Sequence, residues 1–91
     1  MMMQARLFRI TGRVQGVFFR DFVREHALTF GLVGYAQNLP DGSVEVFAQG
    51  LGCDLDRLML ICKKGSPASR VEGVSSKGCA PNTHLDTFSI S

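Results

Sequence analysis

Between residues 12 and 20 the chain changes its hydrophobic period, and that switch restricts the folds open to it. Before it, Phe8 and Ile10 alternate with Arg9 and Thr11 while Leu7 faces the other side, the period-two pattern of a half-buried strand over residues 5–12. After it, Phe22, Val23, Ala27 and Phe30 recur at helical spacing, which predicts a helix over residues 21–30 closed by Gly31. Asp21 adds a negative charge to its first turn, where the helix dipole favours one. The junction reads Gly12-Arg13-Val14-Gln15-Gly16-Val17-Phe18-Phe19-Arg20. At such a strand-to-helix turn, backbone N–H groups can converge on an anion. The N–H groups of Gln15, Gly16, Val17, Phe18, Phe19 and Arg20 form the expected cradle, with no side chain at Gly16 to block the approach. Arg20 can grip two phosphate oxygens at once.

The remaining segments follow the same two periods. Residues 33–38 and 43–49 read as strands joined by the turn Leu39-Pro40-Asp41-Gly42. Val44, Val46 and Ala48 point one way, and Glu45, Phe47 and Gln49 the other. Residues 54–64 read as a second helix with Leu55, Leu58, Met59 and Cys62 as its core stripe and Gly65 as its cap. Strands are expected at 71–76 and 87–90, the last with Phe88 and Ile90 inward, and a loop over 78–85. The order β-α-β-β-α-β, with a short extra strand at one end, gives an α+β class. It is the ferredoxin-like βαββαβ sandwich, two helices on one face of an antiparallel sheet of four to five strands. The 91 residues are expected to form a single domain, 1–91.

Composition narrows the function. A net charge of +2 is too small to argue for nucleic acid but suits an anionic substrate. No segment approaches the roughly 20 apolar residues of a membrane span, and the N-terminal stretch from Met1 to Arg6 lacks the apolar run of a signal peptide. A cytoplasmic location is the expectation. Three cysteines, Cys53, Cys62 and Cys79, have neither C-x-x-C nor histidine-paired spacing. This argues against structural zinc and against a full disulfide framework. Reduced thiols are expected, with one intramolecular bridge left open. No G-x-x-x-x-G-K-[ST] loop, no cysteine-phosphatase run and no paired carboxylates for a two-metal site are present.

A second run, Gly34-Tyr35-Ala36-Gln37-Asn38-Leu39-Pro40-Asp41-Gly42-Ser43-Val44 and on to Gly50, completes the picture. The two runs resemble the signatures G-x-V-Q-G-V-x-F-R and G-[aromatic]-A-x-N-x-x-x-G-x-V-x-x-x-x-x-G of the acylphosphatase family. Gly65-Ser66-Pro67 with Ser69-Arg70-Val71 resembles the family's segment after its second helix. The resemblance spans about residues 7–90 and implies the ferredoxin-like fold. It also implies a hydrolase that cleaves small acyl phosphates, such as acetyl, carbamoyl or glycolytic acyl phosphates, to carboxylate and inorganic phosphate. On this resemblance Arg20 is the phosphate ligand and Asn38 orients the attacking water, with no covalent intermediate, metal or cofactor. A monomer without nucleic-acid or membrane partners is the expectation.

Blander roles suit other residues. One of Phe18 and Phe19 should be core, and either can flank an acyl group. Tyr35 should pack on the sheet, His26 should be a solvent-exposed helix residue, and His84, Cys53 and Cys79 should lie in loops. Two other functions remain open. Tyr35 and Phe47 on an open sheet face can stack RNA bases, although the aromatic-rich K/R-G-F/Y-G/A-F run is absent. A carbamoyl-phosphate-handling domain of a hydrogenase-maturation protein shares the first signature. Such chains continue into zinc-binding segments that are missing up to Ser91, so a free-standing enzyme is expected.

Overall fold

The structure, a computed structural model, describes residues 3–91; Met1 and Met2, where the reading of the N-terminus begins, lie outside the described residues. In chain order the elements are β1 (Gln4–Arg13), α1 (Phe19–Thr29), β2 (Val33–Asn38), β3 (Val44–Gly50), α2 (Gly52–Lys64), β4 (Arg70–Cys79) and β5 (Phe88–Ile90). The five strands form one sheet in the order β4-β1-β3-β2-β5. β1 pairs antiparallel with β3 and β4, and β2 antiparallel with β3. β5 pairs parallel with β2, which makes the sheet mixed rather than uniformly antiparallel. Side-chain alternation reports which face of a strand is buried but carries no direction, so the sense of this three-residue edge strand was not readable.

One face of the sheet carries both helices. Phe8 and Ile10 from β1, Val44, Val46 and Ala48 from β3, and Ala36 from β2 are fully buried against Val23 and Ala27 of α1 and Leu55, Leu58 and Cys62 of α2. α1 ends as its sequence suggests, with the Gly31 and Leu32 N–H groups donating to the Leu28 and Ala27 carbonyls at 3.1 and 2.9 Å. His26 departs from the expectation of a solvent-exposed side chain. It is half-buried between Phe22 and Phe30, with ring centroids 4.6 and 6.2 Å away. The three residues sit at i, i+4 and i+8, one stripe of the helix surface.

The far end of the sheet also departs from expectation. β4 runs on through Gly78 and Cys79, residues expected in a loop, and Cys53 lies in the first turn of α2. The segment from Ala80 then crosses the face opposite the helices to reach β5. Gln49, pointing to that face and 2% exposed, holds it there: its amide donates to the Asn82 carbonyl at 2.8 Å, and its carbonyl accepts the Asn82 N–H at 2.7 Å. Cys53, Cys62 and Cys79 are all free thiols.

Two positions make testable demands. The β1–β4 register shifts between Thr11 and Gly12, where β1 bends into the loop before α1. Gly12 has φ +118°, and a Cβ there would fall 2.1 Å from the Arg70 carbonyl oxygen. Gly12→Ala is expected to destabilise the fold by about 2–3 kcal/mol in urea unfolding. Burial pushes the Cys62 thiol from 9.0 up to about 12. A raised folded pKa contributes stability that is whole below the unfolded value and is lost as pH rises through the folded one. The stability difference between the wild type and Cys62→Ala, measured under reducing conditions, is therefore expected to shrink between pH 9 and 12.

Candidate active site

β1 and β2 both run antiparallel to β3, and β5 runs parallel to β2, so the C-terminal ends of β1, β2 and β5 share one edge of the sheet. Three groups meet at that edge. Residues 14–18 lead from β1 into the N-terminus of α1, Asn38 ends β2, and Ser91 follows β5. The fold thus brings together the two runs, whose Arg20 and Asn38 lie eighteen positions apart in the sequence.

A side chain fixes the spacing between them. The Gln15 amide donates to the Leu39 carbonyl at 2.8 Å and to the Ser43 carbonyl at 2.9 Å, one at each end of the turn that follows Asn38. Gln15, expected only as a supplier of a backbone N–H, therefore acts as a strut through its side chain. The turn is clasped independently. Asp41 accepts the Ser43 N–H at 2.9 Å and its hydroxyl at 2.5 Å, and it pairs with Arg9. The sequence reading missed this clasp, although Asp followed two residues later by Ser is a recognisable turn signal.

The loop itself is short of acceptors. Among the described residues, the backbone N–H groups of residues 15–21 donate to no backbone acceptor, and α1 takes no side-chain cap at its N-terminus. Uncapped N–H groups at the positive end of a helix attract anions. A cavity of about 230 Å³ lies beside this run, lined by Val14, Gly16, Phe18, Phe19, Arg20 and Asp21; Gln15 and Val17, expected in the cradle, do not line it. Gly16 has φ +72°, and a Cβ there would meet open space. Conformation, rather than close packing, is what calls for glycine there. Phe18, the residue before α1, has φ 58° and ψ 26°. Left-handed backbone at a non-glycine residue costs about 1–2 kcal/mol. Phe19 is 1% exposed and belongs to the core, whereas Phe18 is 82% exposed.

Arg20 is half-buried on the first turn of α1 and donates to the Ser91 carbonyl. Ser91 in turn donates its N–H to the Ala36 carbonyl at 2.9 Å. The guanidinium is thereby tied to β2 two residues from the exposed Asn38. Nothing in residue type or spacing announced the part played by Ser91, because it depends on β5 lying parallel to β2. Among the described residues no three His, Cys, Asp or Glu side chains gather in a metal-binding group. The aromatic pair considered for base stacking is stacked on itself, Tyr35 on Phe47 with centroids 5.7 Å apart. The Tyr35 hydroxyl donates to Glu45 at 3.0 Å, and burial, with that carboxylate second, raises its pKa.

Comparison with known proteins adds an independent line. The sequence model of the family described as Acylphosphatase matches residues 6–90. The chain is 46% identical over 87 residues to a protein of Koribacter versatilis named acylphosphatase, covering 96% of this chain and 79% of that one. The crystal structure of acylphosphatase from Bacillus subtilis superposes with a TM-score of 0.89 at 38% identity, covering 99% of both chains. An acylphosphatase from Coxiella burnetii superposes with a TM-score of 0.92 at 29% identity, covering 98% of this chain and 93% of that one.

The strained residue before α1 yields a direct test. Phe18→Gly removes left-handed strain and an exposed ring that is not part of the core. It is expected to raise the unfolding free energy by roughly 1 kcal/mol, read as a higher urea midpoint at unchanged slope.

Proposed function

Since the chain belongs to the acylphosphatase family and is an enzyme that hydrolyses acyl phosphates to carboxylate and inorganic phosphate, we propose that Arg20 and the backbone N–H groups of Gln15, Gly16, Val17, Phe18, Phe19 and Arg20 hold the substrate phosphate. Asn38 orients the water that attacks it. The observation that carries this assignment is a run of N–H groups without backbone acceptors, four of whose residues, Gly16, Phe18, Phe19 and Arg20, line a cavity at the end of the sheet where Asn38 ends β2.

The chemistry asks little more of the protein. The leaving group is a carboxylate, a weak base that departs without a general acid. Phosphoryl transfer through a loose transition state is then chiefly a matter of positioning and charge stabilisation. Charge that builds on the equatorial oxygens meets fixed N–H donors and the Arg20 guanidinium, which do not have to reorganise. Holding Arg20 on the Ser91 carbonyl limits its rotamers before substrate arrives. The Asn38 amide both donates and accepts, so it can hold a water and point its lone pair along the P–O axis. The Gln15 strut keeps that water at a fixed distance from the cradle. No metal and no covalent enzyme intermediate enter this scheme.

The same reading makes the enzyme a cytoplasmic monomer. Its free thiols suit a reducing compartment, and no described helix is long and apolar enough to cross a membrane.

The test measures hydrolysis of acetyl phosphate in EDTA, and binding of inorganic phosphate by calorimetry. Arg20→Ala is expected to abolish both turnover and phosphate binding. Asn38→Ala is expected to lower kcat by about 10²–10³ while phosphate affinity stays within about twofold. Equal loss of phosphate affinity in both variants would contradict the separate roles, and a wild type silenced by EDTA would contradict the metal-free scheme.

A further inference from the structure

We propose that the groove between the start of α1 and the turn at Ser66-Pro67-Ala68 receives the acyl half of the substrate, with the Phe18 ring as the wall between it and the phosphate cavity. The inference rests on the cradle holding the phosphate.

Phe18 is the starting point. Among the described residues it is the one non-glycine with positive φ, and its ring is 82% exposed. Neither backbone preference nor core packing accounts for it, and a strained, exposed aromatic beside a cavity points to a contact made only when that cavity is filled. Phe18 and Asp21 line the phosphate cavity and also line a second hollow of about 350 Å³, whose other walls include Val17, Phe22, Pro67 and Ala68. The two spaces therefore adjoin at Phe18 and Asp21. In an acyl phosphate only one oxygen separates phosphorus from the acyl carbon, so a phosphate seated in the cradle places the acyl group at that divide.

The second wall is anchored to the first. The Ser66 hydroxyl donates to the Val17 carbonyl at 3.4 Å, and Ser69 donates its N–H and hydroxyl to the Ser66 carbonyl at 3.0 and 2.8 Å. The lining is mostly carbon, with Asp21 and Glu25 as its only charged members. Asp21 is paired with Arg24 at 3.3 Å, which leaves Glu25 to set the sign of the rim. Such a surface takes an uncharged, flat apolar acyl group and repels an anionic one.

The experiment compares kcat/KM for benzoyl, acetyl and succinyl phosphate in the wild type, Phe18→Gly, Ala68→Trp and Glu25→Gln, each checked for folding by circular dichroism. Phe18→Gly removes one wall, and Ala68→Trp fills the groove from the other. Each is expected to lower the benzoyl-to-acetyl ratio about fivefold, mainly through KM. Glu25→Gln is expected to raise the succinyl-to-acetyl ratio about threefold. A benzoyl-to-acetyl ratio that stays within twofold of wild type in Ala68→Trp overturns the groove assignment, while hydrolysis of acetyl phosphate by the wild type reports on the cradle separately. A wild type that cleaves none of the three overturns the cradle and the groove together.

Discussion

Everything at the candidate site depends on β3 lying between β1 and β2. The hairpin after β2 sends β3 back antiparallel, and it inserts beside β1 rather than outside β2. β1 and β2 are thereby parallel without being neighbours, with α1 as the crossover between them. Their C-terminal ends open on the same side, separated by the width of one strand. That gap is what the Gln15 side chain spans. An amide with two donors bonded to two backbone carbonyls makes a two-point link, added to the bonds that those carbonyls already accept from the Gly42 and Leu39 N–H groups. Strand order and strut together convert two sequence signatures into one site.

Most loops satisfy their own backbone. The loop before α1 does not, and the cause lies in two residues with left-handed backbone, Gly16 and Phe18. Backbone with alternating hand of this kind builds anion-binding concavities, and the N–H groups of residues 15–21 find no backbone acceptor. The arrangement sacrifices local stability for an electrostatic cavity that is already formed before any anion enters it. The rest of the fold supports it with ordinary means: a fully buried Phe19 one residue further on, a fully buried Val14 on the other side, and the bend at Gly12.

What could be read from the sequence was whatever one side chain or one short pattern decides. β2 covers the residues that its pattern indicated, 33–38, because its alternation is uninterrupted and a proline turn follows. The α2 stripe of Leu55, Leu58 and Cys62 is buried, because helical spacing alone sets it. Arg20 and Asn38 were singled out through the signatures that carry them, and the fold sets both at one end of the sheet. What failed to show depends on partners distant in the chain. The parallel sense of β5, the crossing segment held by Gln49, and the Ser91 carbonyl behind Arg20 are all settled by which edge the last strand joins. His26 was misread because a polar residue between two aromatics on one helical face can bury its ring while its Nδ1 lies 2.9 Å from the Phe22 carbonyl. Pattern reading counts it as a polar position.

On the proposed assignments the two halves of the substrate meet different parts of the protein, so the signatures name the reaction but not the substrate. The phosphate half is there assigned to backbone N–H groups and one guanidinium, a geometry that tolerates few alternatives and so leaves a pattern of Gly, Gln and Arg. The acyl half, on the groove assignment, is met by Phe18, by Phe22 on the next turn of α1, and by Pro67 and Ala68 in a turn far along the chain. Those positions need only be apolar and of the right size, a demand that many residues meet. Phe18 belongs to both descriptions. Its N–H is one of the proposed cradle donors, set by backbone conformation, while its side chain is exposed and can vary without changing that N–H. Substrate choice can thus change at that side chain while the chemistry, which depends on the main chain, stays the same.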